Sequence, residues 1–124
     1  MPARVYLADI ARQQELRKLV TYDPYLDNAL KEDDLNKIRD DEMANIIFAR
    51  QDCTIKEGAA LNLDREKVYL YINATDEFLE KADRKLKATI QGIERADQEI
   101  EQKIIASINE EQSKAETGFG FIFG

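Results

Sequence analysis

The sequence predicts an all-α protein: a small helical cluster, a long C-terminal helix packed on it as a helical hairpin, and an extended apolar C-terminal arm. Three observations carry this expectation. Residues 64–116 contain no proline, and Ile72, Leu79, Leu86, Ile93 and Ile100 recur through them every seven residues. Ala82, Thr89 and Ala96 follow three residues after Leu79, Leu86 and Ile93, so the seam alternates large and small side chains. Charged residues make up 35% of the chain, with 5 glycines and 2 prolines, a composition that suits long solvated helices better than a sandwich or barrel.

Taken in order, residues 3–20 place Leu7, Ile10, Leu16, Leu19 and Val20 on roughly one face of a first helix. Asp23-Pro24 then starts a short helix, because aspartate caps well and proline is preset for the first helical position. Its Tyr25, Leu26, Ala29 and Leu30 face the core. A third helix is expected over residues 34–56, with Leu35, Ile38, Met43, Ile46, Ile47 and Cys53 on its apolar side and Gly58 as its stop. The long helix, 64–116, is capped by Asn62 or Asp64.

One segment of that helix reads two ways. KVYLYIN, residues 67–73, alternates β-branched and aromatic residues as a strand does. No second run in the middle of the chain offers it a partner, and a lone strand is unstable, so it is assigned to the helix. Asn73-Ala74-Thr75 and Gly92 are the soft points. Beyond them, Glu77–Lys81, Glu80–Arg84, Asp83–Lys87, Glu99–Lys103 and Glu110–Lys114 are acid-before-base pairs in the favourable helical orientation. Glycines at 118, 120 and 124 exclude a helix from the tail and favour an extended arm. The chain thus divides into an N-terminal cluster (1–63), an oligomerisation helix (64–116) and a docking arm (117–124), one structural domain in all.

Composition excludes several functions. A net charge of -7 disfavours nucleic acid as the main partner, since phosphate binding needs a basic surface. There is no histidine, so the usual acyl-transfer constellation and the common zinc and haem ligand sets cannot be built. Cys53 is the single cysteine and is read as a small buried hydrophobe, because a thiolate nucleophile needs a cationic neighbour. The N-terminus lacks a signal-peptide pattern and no apolar run is long enough to span a membrane. The expectation is a soluble protein, cytoplasmic at synthesis or held within a virion or other large assembly, with no catalytic, cofactor or metal residues.

Carboxylates are the remaining catalytic candidates. Glu77, Glu80 and Asp83 form an E-x-x-E-x-x-D pattern, and Asp40, Asp41 and Glu42 form a second cluster upstream. On two antiparallel helices these could face one another and hold Mg²⁺ through oxygen ligands. Over these few residues the chain resembles the acidic helices of the all-α nucleotide pyrophosphohydrolases, which would imply Mg²⁺-dependent hydrolysis. The competing reading is a solvated face, because Glu77, Glu80 and Asp83 each have a basic partner four residues on.

Length favours a structural role. At 1.5 Å per residue the 64–116 helix would span roughly 80 Å, against roughly 35 Å for its hairpin partner. Ile90, Ile93, Ile100, Ile104 and Ile108 would then lie beyond the partner's reach and form a protein interface, together with Phe119, Phe121, Ile122 and Phe123 of the arm. The expected function is a non-enzymatic structural or assembly subunit, homo-oligomeric or part of a multi-protein complex. In size and layout it resembles the small helical head–tail connectors of tailed phages. The alternative is a helical adaptor or chaperone-like binding module.

Overall fold

The computed structural model describes residues 2–123, with side chains from Pro2 through Lys114. It corrects the all-α expectation. The chain is mixed α/β, with one four-stranded antiparallel sheet in the order β2-β3-β1-β4. The elements run β1 (Ala3–Asp9), α1 (Gln13–Thr21), α2 (Glu32–Asp40), β2 (Asp52–Glu57), β3 (Lys67–Asn73), α3 (Asp76–Thr89), β4 (Glu94–Arg95) and α4 (Gln98–Phe123). This is a split βαβ arrangement, in which β3 inserts between β1 and β2, with a further helix added at the end.

The strand period explains each difference. In β1, Val5 and Leu7 turn to one face of the sheet, and Tyr6 and Ala8 to the other. What looks like the first half of a helix is therefore a strand, and α1 begins at Gln13. The expected 34–56 helix ends at Asp40, and its last residues are the edge strand β2. KVYLYIN is β3, and its partners come from far along the chain: Tyr6 faces Leu70 from one side and Ile55 faces Leu70 from the other.

The heptad of isoleucines and leucines is spread over three elements and a turn. Ile72 lies in β3, Leu79 and Leu86 in α3, Ile93 in the following turn and Ile100 in α4. Both soft points are real breaks. Thr75 caps α3 by accepting a hydrogen bond from the Phe78 N–H (3.2 Å), and Gly92 has φ +76°, a left-handed conformation suited to glycine. There is thus no long hairpin helix. The extended arm expected over 117–124 is also corrected, since α4 continues to Phe123. No helix among the described residues is long and apolar enough to cross a membrane.

Two cores result. On one face of the sheet, Tyr6, Leu70 and Ile72 pack with Leu16 of α1 and Leu79 and Leu86 of α3. On the other, Val5, Tyr69 and Tyr71 pack beneath Ile104 and Ile108 of α4. Each fully buried aliphatic side chain contributes about 1.5–3 kcal/mol. A carboxylate fixes α4 in place. β4 is only two residues long, and the chain leaves the sheet after the Ala96 N–H donates to the Val5 carbonyl (2.9 Å). The Val5 N–H donates instead to Glu101 Oε2 (3.0 Å), and Arg95 donates to both carboxylate oxygens (2.9 and 2.8 Å).

Burial pushes the Glu101 carboxyl up, but the Arg95 guanidinium and the Val5 N–H outweigh it and hold it below the usual glutamate value. A depressed folded value stabilises the fold above the unfolded pKa of about 4.3 and loses that contribution as pH falls through the folded value. Glu101→Ala should destabilise the protein by about 1–3 kcal/mol at neutral pH, because it strands a buried N–H. Thermal melts of both proteins across pH should show the gap narrowing on acidification below about 4.

Candidate functional site

Among the described residues the two acidic clusters do not converge as a metal-ligand group. Glu77, Glu80 and Asp83 lie along α3, where Glu77 pairs with Lys81 (3.6 Å) and Asp83 with Lys87 (3.1 Å). Asp83 also accepts the buried Tyr6 hydroxyl (2.8 Å). At the end of α2, Asp41 accepts from the N–H groups of Met43 (3.0 Å) and Ala44 (3.2 Å), closing a local turn. Among the described residues no group of three or more His, Cys, Asp or Glu side chains is placed to hold a metal ion. The antiparallel acidic helices that the pyrophosphohydrolase resemblance implies belong to an all-α frame, and this sheet-based fold does not provide it.

Cys53 sits half-buried in β2, its Sγ against the Phe48 carbonyl (3.5 Å). Burial, aided by the charge of Asp52, pushes the thiol up to about 12.

The proposed interface isoleucines are placed inside the chain's own cores. Ile90 and Ile93 close the core beneath α1 and α3, Ile104 and Ile108 are buried under α4, and Ile100 is half-buried beside them. The side chains of Phe119, Phe121, Ile122 and Phe123 lie outside the described residues.

What the fold does open is a groove of about 760 Å³ between α1, α2, the 44–47 segment and the end of α3. Leu19, Pro24, Ile38, Ile46, Ile47 and Ile90 supply apolar walls, and Glu15, Lys18 and Lys85 are its charged residues. A pocket of this size and apolar character is of the kind that binds ligands and partner segments. Lys85 reaches in from α3 and donates to the Ile46 carbonyl (2.8 Å), holding the 44–47 segment against the helix. Burial pulls its ammonium below the ordinary lysine value, and the charge of Asp41 opposes this. Glu15 is paired with Arg12 (3.0 Å). Among the described residues, neither Lys18 nor Lys85 has a carboxylate within 4 Å.

The segment around the 3-10 turn Pro24–Leu26, beside the groove, is braced from outside. Asp23 caps Tyr25 (3.0 Å) and pairs with Arg50 (3.0 Å), while the Tyr25 ring lies 4.9 Å from the Arg50 guanidinium and 5.5 Å from that of Arg39. Near it, Tyr22 is 50% and Leu26 79% exposed, so apolar surface extends beyond the groove. Sequence reasoning missed the groove because its walls come from four separated segments, each with one or two apolar residues that read locally as core.

No family model, curated protein or solved structure matches this chain. The fold and site therefore define it in structural terms: a split βαβ sheet, covered on both faces, with an apolar groove on its helical side.

The state of Cys53 gives a direct test of its environment. Its reaction with a disulfide reagent at pH 8 should be slower by orders of magnitude in the native protein than in denaturant, where a free cysteine titrates near 8.5. Equal rates would place the thiol on the surface.

Proposed function

We propose that this chain is a non-enzymatic assembly subunit, one that joins protein chains and transforms no substrate. The observation that carries the reading is the groove: its walls are apolar, and Lys18 and Lys85 bring positive charge to it without carboxylate partners among the described residues. The complementary occupant is an apolar helical segment of a partner protein flanked by acidic residues, bound helix-in-groove. Apolar contact supplies affinity there, and the lysines orient the segment and hasten encounter. Asp83 of α3 supports the same reading, since it is engaged with the buried Tyr6 hydroxyl and with Lys87.

A photo-crosslinking residue at Tyr22, half-exposed on the groove, should capture a specific chain in the source cells. That chain, identified and purified, should bind the wild-type protein directly. Ala44→Arg, which places a long charged side chain into the groove, should weaken binding by roughly tenfold or more, about 1.4 kcal/mol. Added salt should also weaken it, through Lys18 and Lys85. Mg²⁺-dependent nucleotide hydrolysis by the purified protein, lost when Glu77, Glu80 and Asp83 are changed together to amides, would overturn the reading in favour of an enzyme.

A further inference from the structure

The outer edge of the sheet at β2 has a definite hydrogen-bonding parity. The Ile10 N–H donates to the Glu66 carbonyl (2.7 Å) and the Ala74 N–H to the Pro2 carbonyl (3.1 Å). With the register between β1 and β3, this assigns the even-numbered residues of β3 to the pairs that exchange hydrogen bonds with β1. Its odd-numbered residues, Tyr69, Tyr71 and Asn73, turn the other way and meet Lys56, Thr54 and Asp52. The main-chain groups of Cys53, Ile55 and Glu57 therefore point outward. Among the described residues no main-chain hydrogen bond reaches them from that side. The edge is six residues long and carries no proline, so it lacks one common means of blocking strand addition.

We propose that β2 pairs antiparallel with β2 of a second copy, about a two-fold axis at Thr54, to form a continuous eight-stranded sheet. The sequence of the strand selects both the partner and the register. Two-fold pairing must set outward-facing residues opposite one another, which allows axes at Cys53, Thr54 or Ile55. An axis at Cys53 places Arg50 opposite Lys56 of the partner subunit, like charge against like. An axis at Ile55 places Cys53 opposite Glu57 of the partner subunit. The axis at Thr54 sets Asp52 opposite Lys56 of the partner subunit at both ends, Cys53 opposite the partner's Ile55, and threonine against threonine at the centre. The opposite charges and the paired threonines are favourable cross-strand pairs, and Cys53 meets an apolar side chain.

The path of α4 agrees with this partner. The helix crosses the second face of the sheet from β1, where Glu101 binds Val5, to β2, where Glu111 meets Lys56 (3.0 Å). Its continuation from Glu111 to Phe123 adds roughly 18 Å of helix at 1.5 Å per residue, part of which, since the helix crosses the strands obliquely, carries past the β2 edge. None of the groove-lining residues belongs to β2, so the two surfaces operate independently.

The test uses the full chain with Cys53→Ser and Thr54→Cys. A cysteine at the axis meets its own copy in a non-hydrogen-bonded pair, where Cα atoms lie about 4.5 Å apart, within disulfide range. Mild oxidation should give a covalent dimer, far faster than Cys53→Ser with Asp52→Cys, whose opposite number is a lysine. By sedimentation, Lys56→Asp should weaken the dimer by roughly tenfold or more, and adding Asp52→Lys should restore it. Circular dichroism melts of each variant separate these effects from misfolding. A wild-type protein that stays monomeric at high concentration, equal cross-linking of the two cysteine variants, or a charge swap that fails to restore association would each overturn the proposal. The groove reading fails separately, when Ala44→Arg leaves partner binding intact.

Discussion

β3 is buried on both faces, and that constraint organises the molecule. Val68, Tyr69, Leu70, Tyr71 and Ile72 are five consecutive residues with almost no exposure. A strand of that kind needs a neighbour on each side for its backbone and a cover on each face for its side chains. β1 and β2 provide the neighbours, α1 and α3 cover one face, and α4 covers the other. Had α4 been absent, Val5, Tyr69 and Tyr71 would form an exposed apolar patch across the middle of the sheet.

Two polar side chains admitted to this interior, Glu101 and Tyr6, hold elements together. Glu101 takes the β1 N–H that a short β4 leaves without a strand partner, and Arg95 neutralises it at the same point. Breaking such a pair leaves a charge without compensation, so the interaction specifies where α4 docks more than it adds net stability. Tyr6 plays a similar part on the opposite face. Burial, with the acceptor Asp83 adding to it and Arg4 opposing, pushes its phenol up to about 12, so it remains a donor to α3 throughout the physiological range.

Much local detail was legible in the sequence, while the architecture was not. Asp23 caps the turn at Pro24, Gly92 breaks the chain, and the pairs Glu77–Lys81, Asp83–Lys87, Glu99–Lys103 and Glu110–Lys114 form on helices as their spacing implies. The architecture was lost at KVYLYIN. A seven-residue apolar repeat ran through it, and the repeat was an accident of consecutive short elements whose buried positions happened to fall in phase. Strand pairing is a long-range property: Val5 pairs with Tyr71, and nothing local in ARVYLAD announces that partner. The candidate groove was hidden for the same reason, since Leu19, Ile38, Ile46 and Ile90 converge only once the sheet has formed.

The cover over the second face also determines where binding can occur. A four-stranded sheet of this kind, with aromatic residues on an open face, can stack nucleotide bases. Tyr69 and Tyr71 lie on a central strand here, but Ile104 and Ile108 pack on them. Burial, with the charges of Asp64 and Asp97, raises the Tyr69 phenol, in keeping with a packed environment. With both faces occupied, the covers leave open the seam between α1, α2 and α3 and the outer edge of β2. The first offers apolar volume with a positive charge beside it, the second offers backbone groups in fixed register. Two surfaces of such different chemistry, with no residue in common, can be occupied at once in the assembly role proposed above.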